Sequence, residues 1–257
     1  MKLATALYSP ILFLLMSLSA GVSHAEELAA TPYRPSVSAP AALSAPGWLE
    51  VELGGQQLKD AGAKRGSVPY TLKLAFTPDW GIRIGGEANV RARAADGSSA
   101  SGVGDTTFIA KYRMVSSETS AYGIEAGFKK PTASNQIGSG KSDTLLNFIY
   151  SVDDGKWHLD ANISPTKLGL VEANQSRWQT GWAAALSRSL DDKWGIVGEL
   201  SGTRQGGAAS TKQFLAALSY ASTKRMVFDV GVAKGLTDST TDKSLFFGVT
   251  YLATPVF

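Results

Sequence analysis

Apolar side chains alternate with polar or small ones from Trp48 to the end of the chain, in segments of about ten residues. Tyr70, Leu72, Leu74 and Phe76 form one such series. A two-residue period is that of a β-strand with one apolar and one polar face. Because no later stretch is longer or more apolar than the short apolar run near the N-terminus, the sequence argues against membrane-spanning helices.

The connections between these segments alternate in length. Long ones such as 55–66 and 131–141 alternate with short ones such as 78–79 and 223–224. Outer-membrane barrels have short periplasmic turns and longer external loops, whereas a secreted β-sandwich, which shares the two-faced strands, has no reason to sort its loops. The sequence therefore predicts an all-β fold, a transmembrane up-and-down antiparallel β-barrel of about 12 strands. The predicted strands are approximately 47–54, 67–77, 80–93, 104–115, 119–130, 142–152, 156–165, 176–189, 193–204, 210–222, 225–235 and 242–253.

Aromatic residues mark one end of this predicted barrel. Trp80, Trp157 and Trp194 each follow a short acidic turn. Aromatic rings with a polar edge settle at a membrane–water interface, so the pattern indicates a periplasmic girdle; the alternative is a set of aromatic residues that cap a soluble core. The last strand keeps its outward phase to Phe257, and this ending resembles the C-terminal signal of outer-membrane proteins, so we expect recognition by the barrel-assembly machinery.

The N-terminal part of the chain divides into two segments before the barrel at 47–257. Residues 1–25 combine Lys2, an apolar stretch and the small-residue ending Ser23-His24-Ala25, which predicts a secretory signal peptide cleaved after Ala25. Residues 26–46 contain four prolines and no period. They predict an extended or disordered periplasmic lead-in, which could instead enter the barrel as a plug. The expected location is the outer membrane of a Gram-negative bacterium.

Composition and motifs exclude several functions. The chain carries 25 basic and 22 acidic side chains, which is too even a balance for a nucleic-acid partner, and it has no cysteine. Residues 135–142 nearly match a phosphate-binding loop, but Asn135 replaces the first glycine and no helix follows. His158, with Asp160 on the same strand face, could serve a barrel-embedded lipid acyl hydrolase, yet no serine motif accompanies it. We therefore expect no enzyme, no catalytic residue, no cofactor and no metal site.

The inward face of the predicted strands carries most of the charged residues. Charged groups facing lipid would cost about 2–4 kcal/mol at the midplane, so their inward phase supports the barrel. Glu50 and Glu52 belong to this face, and the predicted pore-lining residues are Lys73, Arg83, Glu87, Arg91, Lys111, Arg113, Glu125, Lys129, His158, Asp160, Glu199 and Asp229. Opposed basic and acidic walls could order polar solutes in a wet pore, or the same charges could pair and fill the lumen.

Several short motifs resemble the outer-membrane family named after the meta-pathway of phenol degradation, whose members are described as transporters. They are the run that opens at Gly104-Asp105, Phe128-Lys-Lys-Pro-Thr132, Gly138-Ser-Gly-Lys-Ser-Asp143, and the closing strands 231–235 and 247–251. The resemblance implies passage of small molecules, aromatic ones among them, across the outer membrane. Together with the apolar residues that are predicted to face inward, such as Ile109 and Leu145, it leads us to expect a monomeric channel or facilitator for passive uptake of small aromatic or apolar molecules. Its partners would be outer-membrane lipid and the solute. The alternative is a plugged barrel with a structural or surface-interaction role.

Overall fold

The computed structural model describes residues 28–134 and 137–257. The predicted signal peptide, residues 1–25, lies outside the described residues, as do Asn135 and Gln136 of the near-match to a phosphate-binding loop. Residues 28–47 precede the sheet and contain no helix or strand. The strands are β1 Trp48–Asp60, β2 Ala63–Ala75, β3 Trp80–Arg93, β4 Ser99–Gly102, β5 Thr106–Val115, β6 Ser120–Lys130, β7 Asp143–Asp154, β8 Trp157–Lys167, β9 Trp178–Ser189, β10 Trp194–Gln205, β11 Thr211–Thr223, β12 Met226–Gly235 and β13 Lys243–Pro255.

Twelve of these strands close into an antiparallel barrel, and β4 is a short addition that pairs with the outer end of β3. Each barrel strand pairs with its neighbours in the chain, and β1 pairs with β13 to complete the ring. Closure leaves no unpaired sheet edge, which is the condition for a β-structure to stand in lipid. The prediction of a twelve-strand up-and-down barrel is confirmed. No helix among the described residues is long and apolar enough to span a bilayer.

The outer surface of the barrel is apolar in its middle, where exposed side chains include Leu53, Val230 and Phe247. Aromatic residues gather at the end that holds the start of β1, the C-terminus and the short turns. Trp80 packs against Tyr112 and Trp194 against Tyr220, each with ring centroids 4.6 Å apart on neighbouring strands.

The turn before Trp194 shows how this end is built. Asp191 accepts hydrogen bonds from the backbone N–H groups of Lys193 and Trp194, at 2.8 and 2.7 Å. These bonds stabilise the carboxylate and lower the pKa of Asp191 below its ordinary value. The acidic residue thus fixes the turn that presents the tryptophan.

The prediction of a long loop at residues 55–66 is wrong. Strands β1 and β2 continue to pair as far as Asp60 and Ala63, so only Ala61 and Gly62 form the turn. The residues of this extension, such as Gln56, are polar on both faces, and alternation cannot reveal a strand where neither face is apolar. The extension also pairs on both sides with the neighbouring strands, Lys59 with Lys243 of β13 and Lys64 with Arg93 of β3, so it raises the wall of the barrel at the loop end.

The prediction that Arg91 lines the pore is wrong, because β3 contains a β-bulge. Val68 pairs with Asn89 and Pro69 with Glu87, so Ala88 is an extra residue on β3. One extra residue reverses the inward–outward phase of the strand beyond it. Arg91 is consequently exposed on the outer surface, whereas alternation from Glu87 predicts it in the lumen.

The barrel lumen and its N-terminal segment

The N-terminal segment, residues 28–46, runs through the interior of the barrel. Ala41 is fully buried and Ser38 is only 2% exposed. Ala39 and Ala41 form a small apolar cluster with Ala121 of β6 and Ile149 of β7. The segment makes hydrogen bonds to inward side chains of β1, β2, β5, β7, β8, β10 and β12, which surround it on all sides. Inside the barrel it is thus bound mainly through side chains and forms no strand. Its two ends also contact the barrel backbone, through a hydrogen bond of 2.8 Å from the Ala30 N–H to the Lys224 carbonyl and a bridge between Pro46 and Ala75.

Acidic residues of the barrel wall accept hydrogen bonds from this segment. Glu199 accepts hydrogen bonds from the backbone N–H groups of Val37 and Ser38, both at 2.9 Å, and from the Ser38 hydroxyl at 3.0 Å. Asp229 accepts hydrogen bonds from Nε and a terminal nitrogen of Arg34, at 3.2 and 3.3 Å. A buried carboxylate without donors is very costly, so these contacts compensate two charges that the far wall would otherwise leave unpaired.

Close approach of Arg34 depends on two glycines. A Cβ at Gly54 would lie 2.6 Å from the guanidinium carbon of Arg34, and a Cβ at Gly248 would lie 2.4 Å from its Nε. Both positions face inward on β1 and β13, next to each other in the sheet. The guanidinium therefore lies directly on the backbone, where it also donates to the Phe247 carbonyl at 3.0 Å.

Basic residues of the near wall bind the acceptors of the segment. Lys111 donates to the Tyr33 hydroxyl at 2.7 Å and to the carbonyls of Pro40 and Ala42. Lys73 donates to the Thr31 carbonyl at 2.6 Å and is ion-paired with Glu50 and Glu52. The ammonium groups of Lys73 and Lys111 lie 3.9 and 4.3 Å from the centroid of the Tyr33 ring, within the range of cation–π attraction.

A polar layer continues beside the segment from β3 to β8. Arg83 holds Glu125 through two hydrogen bonds of 3.2 and 3.0 Å, and Asn147 donates to the same carboxylate at 3.0 Å. Asn162 both accepts from the Ala39 N–H, at 2.6 Å, and donates to the Ala39 carbonyl, at 3.0 Å. This pair of bonds imitates strand pairing with a side-chain amide.

The remaining predicted residues lie near the two ends of the barrel. Lys129 pairs with Asp105 and Asp143, at 3.2 and 2.9 Å, towards the loop end. Glu87 is paired with Arg65 through two contacts of 2.6 Å, also towards the loop end. His158 lies between Asp153, at 2.7 Å, and Asp160, at 3.0 Å, at the terminus end. Arg113 lies near that end on β5, partly exposed, with its Nε buried and without a hydrogen-bond partner.

Two cavities lie on opposite sides of the N-terminal segment, an outer cavity towards the loop end and an inner cavity towards the end with the short turns. The outer cavity, of about 420 Å³, is lined by Val37, Ala39, Ile109, Leu145 and Arg83 among others. The inner cavity, of about 360 Å³, is lined by Tyr33, Pro40, His158, Asp160 and Val227 among others. Each has the size of cavities that hold small organic molecules.

The residues that sequence reasoning missed belong to the segment and to its neutral partners. Arg34 is the single basic residue in 26–46, and its partner Asp229 carries the matching charge, yet nothing in the chain gives the register between them. Ser151 and Asn162 are inward by alternation, but small polar residues on an inward face are ordinary in such barrels. Their contacts with Ala41 and Ala39 follow only from the path of the segment.

A closed antiparallel barrel with an apolar outer face, aromatic residues at one end and a charged interior defines the class of outer-membrane β-barrel proteins. The sequence matches the family described as "Putative MetA-pathway of phenol degradation" over residues 42–253, and the chain belongs to that family. The predicted family is therefore confirmed. No curated protein matches the sequence.

Solved structures show the same fold. An outer membrane channel from Pseudomonas putida F1 has a TM-score of 0.63 at 15% identity, over 88% of this chain and 98% of that one. The NanC porin has a TM-score of 0.58 at 8% identity, over 79% of this chain and 98% of its own. The KdgM porin has a TM-score of 0.55 at 12% identity, over 80% of this chain and 99% of its own.

Proposed function

We propose that this protein is an outer-membrane channel for passive uptake of small apolar or aromatic molecules, and that its N-terminal segment closes the channel. The observation that carries the proposal is the division of the lumen into two cavities by a segment that forms no strand and is held inside the barrel mainly through side chains. A solute could pass from one cavity to the other only after the segment moves aside.

Displacement of the segment is chemically feasible because water can replace its contacts. The bonds to Glu199 and Lys111 join a charged group to a polar one, and Asp229 forms an ion pair with Arg34; all of these groups can be hydrated once the lumen fills with water. The barrel itself does not depend on the segment for closure, since β1 pairs with β13 along its length. The wall can therefore stay intact while the segment leaves.

The lining of the outer cavity combines aliphatic side chains with hydroxyl and amide groups, which suits a solute that has both an apolar body and a polar group. Ile109 and Leu145 face Val37 and Ala39 across it, while Arg83 is already bound to Glu125. A compound with a ring and one polar group would contact the aliphatic side chains and find hydroxyl and amide partners nearby.

Conductance and uptake measurements test the proposal. Refolded wild-type protein would be compared with a variant lacking residues 28–44 and with one in which the same residues are replaced by a Gly/Ser linker of equal length. We expect the deletion and the linker variant to conduct strongly in planar bilayers and the wild type to conduct weakly. Liposomes containing wild-type protein should admit phenol and benzoate faster than a sugar of similar size.

Two results would contradict the proposal. Absence of conductance from folded protein in all three forms would favour a plugged structural barrel. Equal conductance in all three forms would remove the segment as the closing element. A Lys111→Glu, Arg113→Glu variant adds a test of the wall, since reversed charges on β5 should change ion selectivity if solutes pass beside it.

The hydrolase alternative receives no support from the geometry around His158. Both ring nitrogens of His158 are occupied by carboxylates, those of Asp153 and Asp160. A general base must leave one nitrogen free to accept the proton of a serine hydroxyl. The hydrolase alternative requires ester or lipid hydrolysis by wild-type protein that is lost in a His158→Ala variant. We expect neither protein to hydrolyse these substrates.

A further inference from the structure

A row of five basic residues runs across the outer surface of the barrel at its loop end. Arg93 on β3 pairs directly with Lys64 on β2, and Lys64 pairs with Lys59 on β1. Lys59 in turn pairs with Lys243 on β13, and Lys243 pairs with Lys234 on β12. Paired residues share a face of the sheet, and all five side chains are exposed.

The fold does not explain this row. Like charges directly opposite each other on neighbouring strands destabilise a sheet, and here four such pairs follow one another. Within the part of the chain that the structure describes, none of the five forms an ion pair with a carboxylate. Asp60 and Asp242 lie nearby at the tips of the hairpins, where Asp242 accepts a hydrogen bond from the Ala61 N–H. An anionic partner outside the chain would relieve the repulsion.

An apolar groove lies directly below the row on the same outer surface. It has a volume of about 440 Å³ and is lined by Phe214, Ala216, Val232 and Leu245, with Lys59, Lys234 and Lys243 at its upper edge. Phe214 forms one side, and the small Ala216 leaves the groove open beside it. Lys212, exposed two residues before Phe214 on β11, adds a further cation at this level.

We propose that this surface is a binding site for a phosphorylated, acylated glycolipid of the external leaflet, the lipid A part of lipopolysaccharide. The lysines would bind its phosphate groups and the groove would take one acyl chain. The two features lie in the order that such a lipid requires, because its phosphates stand at the membrane surface and its chains point into the membrane. The proposal needs only the position of the barrel in the outer membrane and is independent of the channel function.

Binding to purified protein tests the site. Folded protein in detergent micelles would be titrated with diphosphorylated lipid A, and bound molecules would be counted by native mass spectrometry. Each basic residue near a lipid phosphate contributes about 1 kcal/mol, so a Lys234→Gln/Lys243→Gln variant should bind about tenfold more weakly or worse. The matched control, Lys156→Gln/Lys193→Gln, removes two exposed lysines at the opposite end and should bind as the wild type does.

Further arms separate the parts of the lipid. Lipid A stripped of its phosphates should bind more weakly to wild-type protein than intact lipid A does, and it should bind equally to wild type and to the Lys234→Gln/Lys243→Gln variant. Millimolar inorganic phosphate should not compete. An Ala216→Trp variant, which fills the groove without touching a lysine, should also lower the affinity. Equal losses in the Lys234→Gln/Lys243→Gln variant and its control, or full competition by inorganic phosphate, would overturn the proposal. Heat-modified mobility in gels confirms that each variant is folded.

Discussion

Arg34 and Asp229 illustrate how single residues hold the N-terminal segment inside the barrel. Their side chains are only 15% and 4% exposed, so each charge depends on the other. Removing one partner of a buried pair costs more than removing both, because the charge that remains has lost its hydrogen bonds. The pair therefore contributes to stability and position together.

An Arg34→Ala variant is expected to lower the free energy of unfolding by about 2 kcal/mol, since Asp229 then lacks its donor. In the double variant Arg34→Ala/Asp229→Asn, the neutral amide should recover part of that loss. Urea unfolding in lipid vesicles, followed by tryptophan fluorescence, measures both values. Lys156→Ala, in an exposed turn, is the control and should change little. Losses that simply add in the double variant would show that the two side chains do not interact.

At the residue scale, alternation was a good guide to which side chains face inward and a poor one to what they bind. Lys73, Lys111, Glu125 and Glu199 are buried at inward positions, as their phase in the sequence predicts. Their contacts with the N-terminal segment could not be predicted, because residues 26–46 have no period that fixes a register. The opposed charged walls expected from the sequence are therefore compensated by a segment that runs between them.

At the scale of elements, strands can be predicted from the sequence where one of their faces is apolar, and they are missed where both faces are polar. The bounds of β3 were predicted as 80–93 and are Trp80–Arg93, whereas the outer halves of β1 and β2 were taken for a loop. The bulge at Ala88 is a second failure of the same kind. No local residue pattern indicates it, since polar residues continue to alternate with small or apolar ones from Glu87 through Ala88 and Asn89 to Arg91.

The bulge makes a prediction that cysteine labelling can check, because the natural chain has no cysteine. In folded protein, Arg91→Cys should react rapidly with a polar maleimide, and Val90→Cys should be protected because Val90 is fully buried. Labelling after denaturation, where both must react, is the control. Faster reaction at position 90 than at position 91 would show that the strand keeps its alternation through Ala88.

At the scale of the whole molecule, the barrel and the N-terminal segment use different kinds of contact. The barrel is closed by continuous backbone pairing between strands, which is cooperative and hard to open locally. The segment is attached through scattered side-chain contacts, and each of them is weak in the presence of water. This difference allows one part to move while the other stays folded, which is what a closing element in a rigid pore requires.

A cross-link between the two parts can test whether that motion opens the channel. A Cβ at Gly123 would lie 3.3 Å from the Cα of Ala41, which is close enough for a disulfide in an Ala41→Cys/Gly123→Cys variant. We expect this variant to be closed when oxidised and to recover wild-type conductance after reduction. The Ala41→Cys single variant should not respond to reductant. If conductance is unchanged after a verified cross-link has formed, solutes pass while residue 41 stays against β6. The path would then run beside the segment, along the wall residues that line the two cavities.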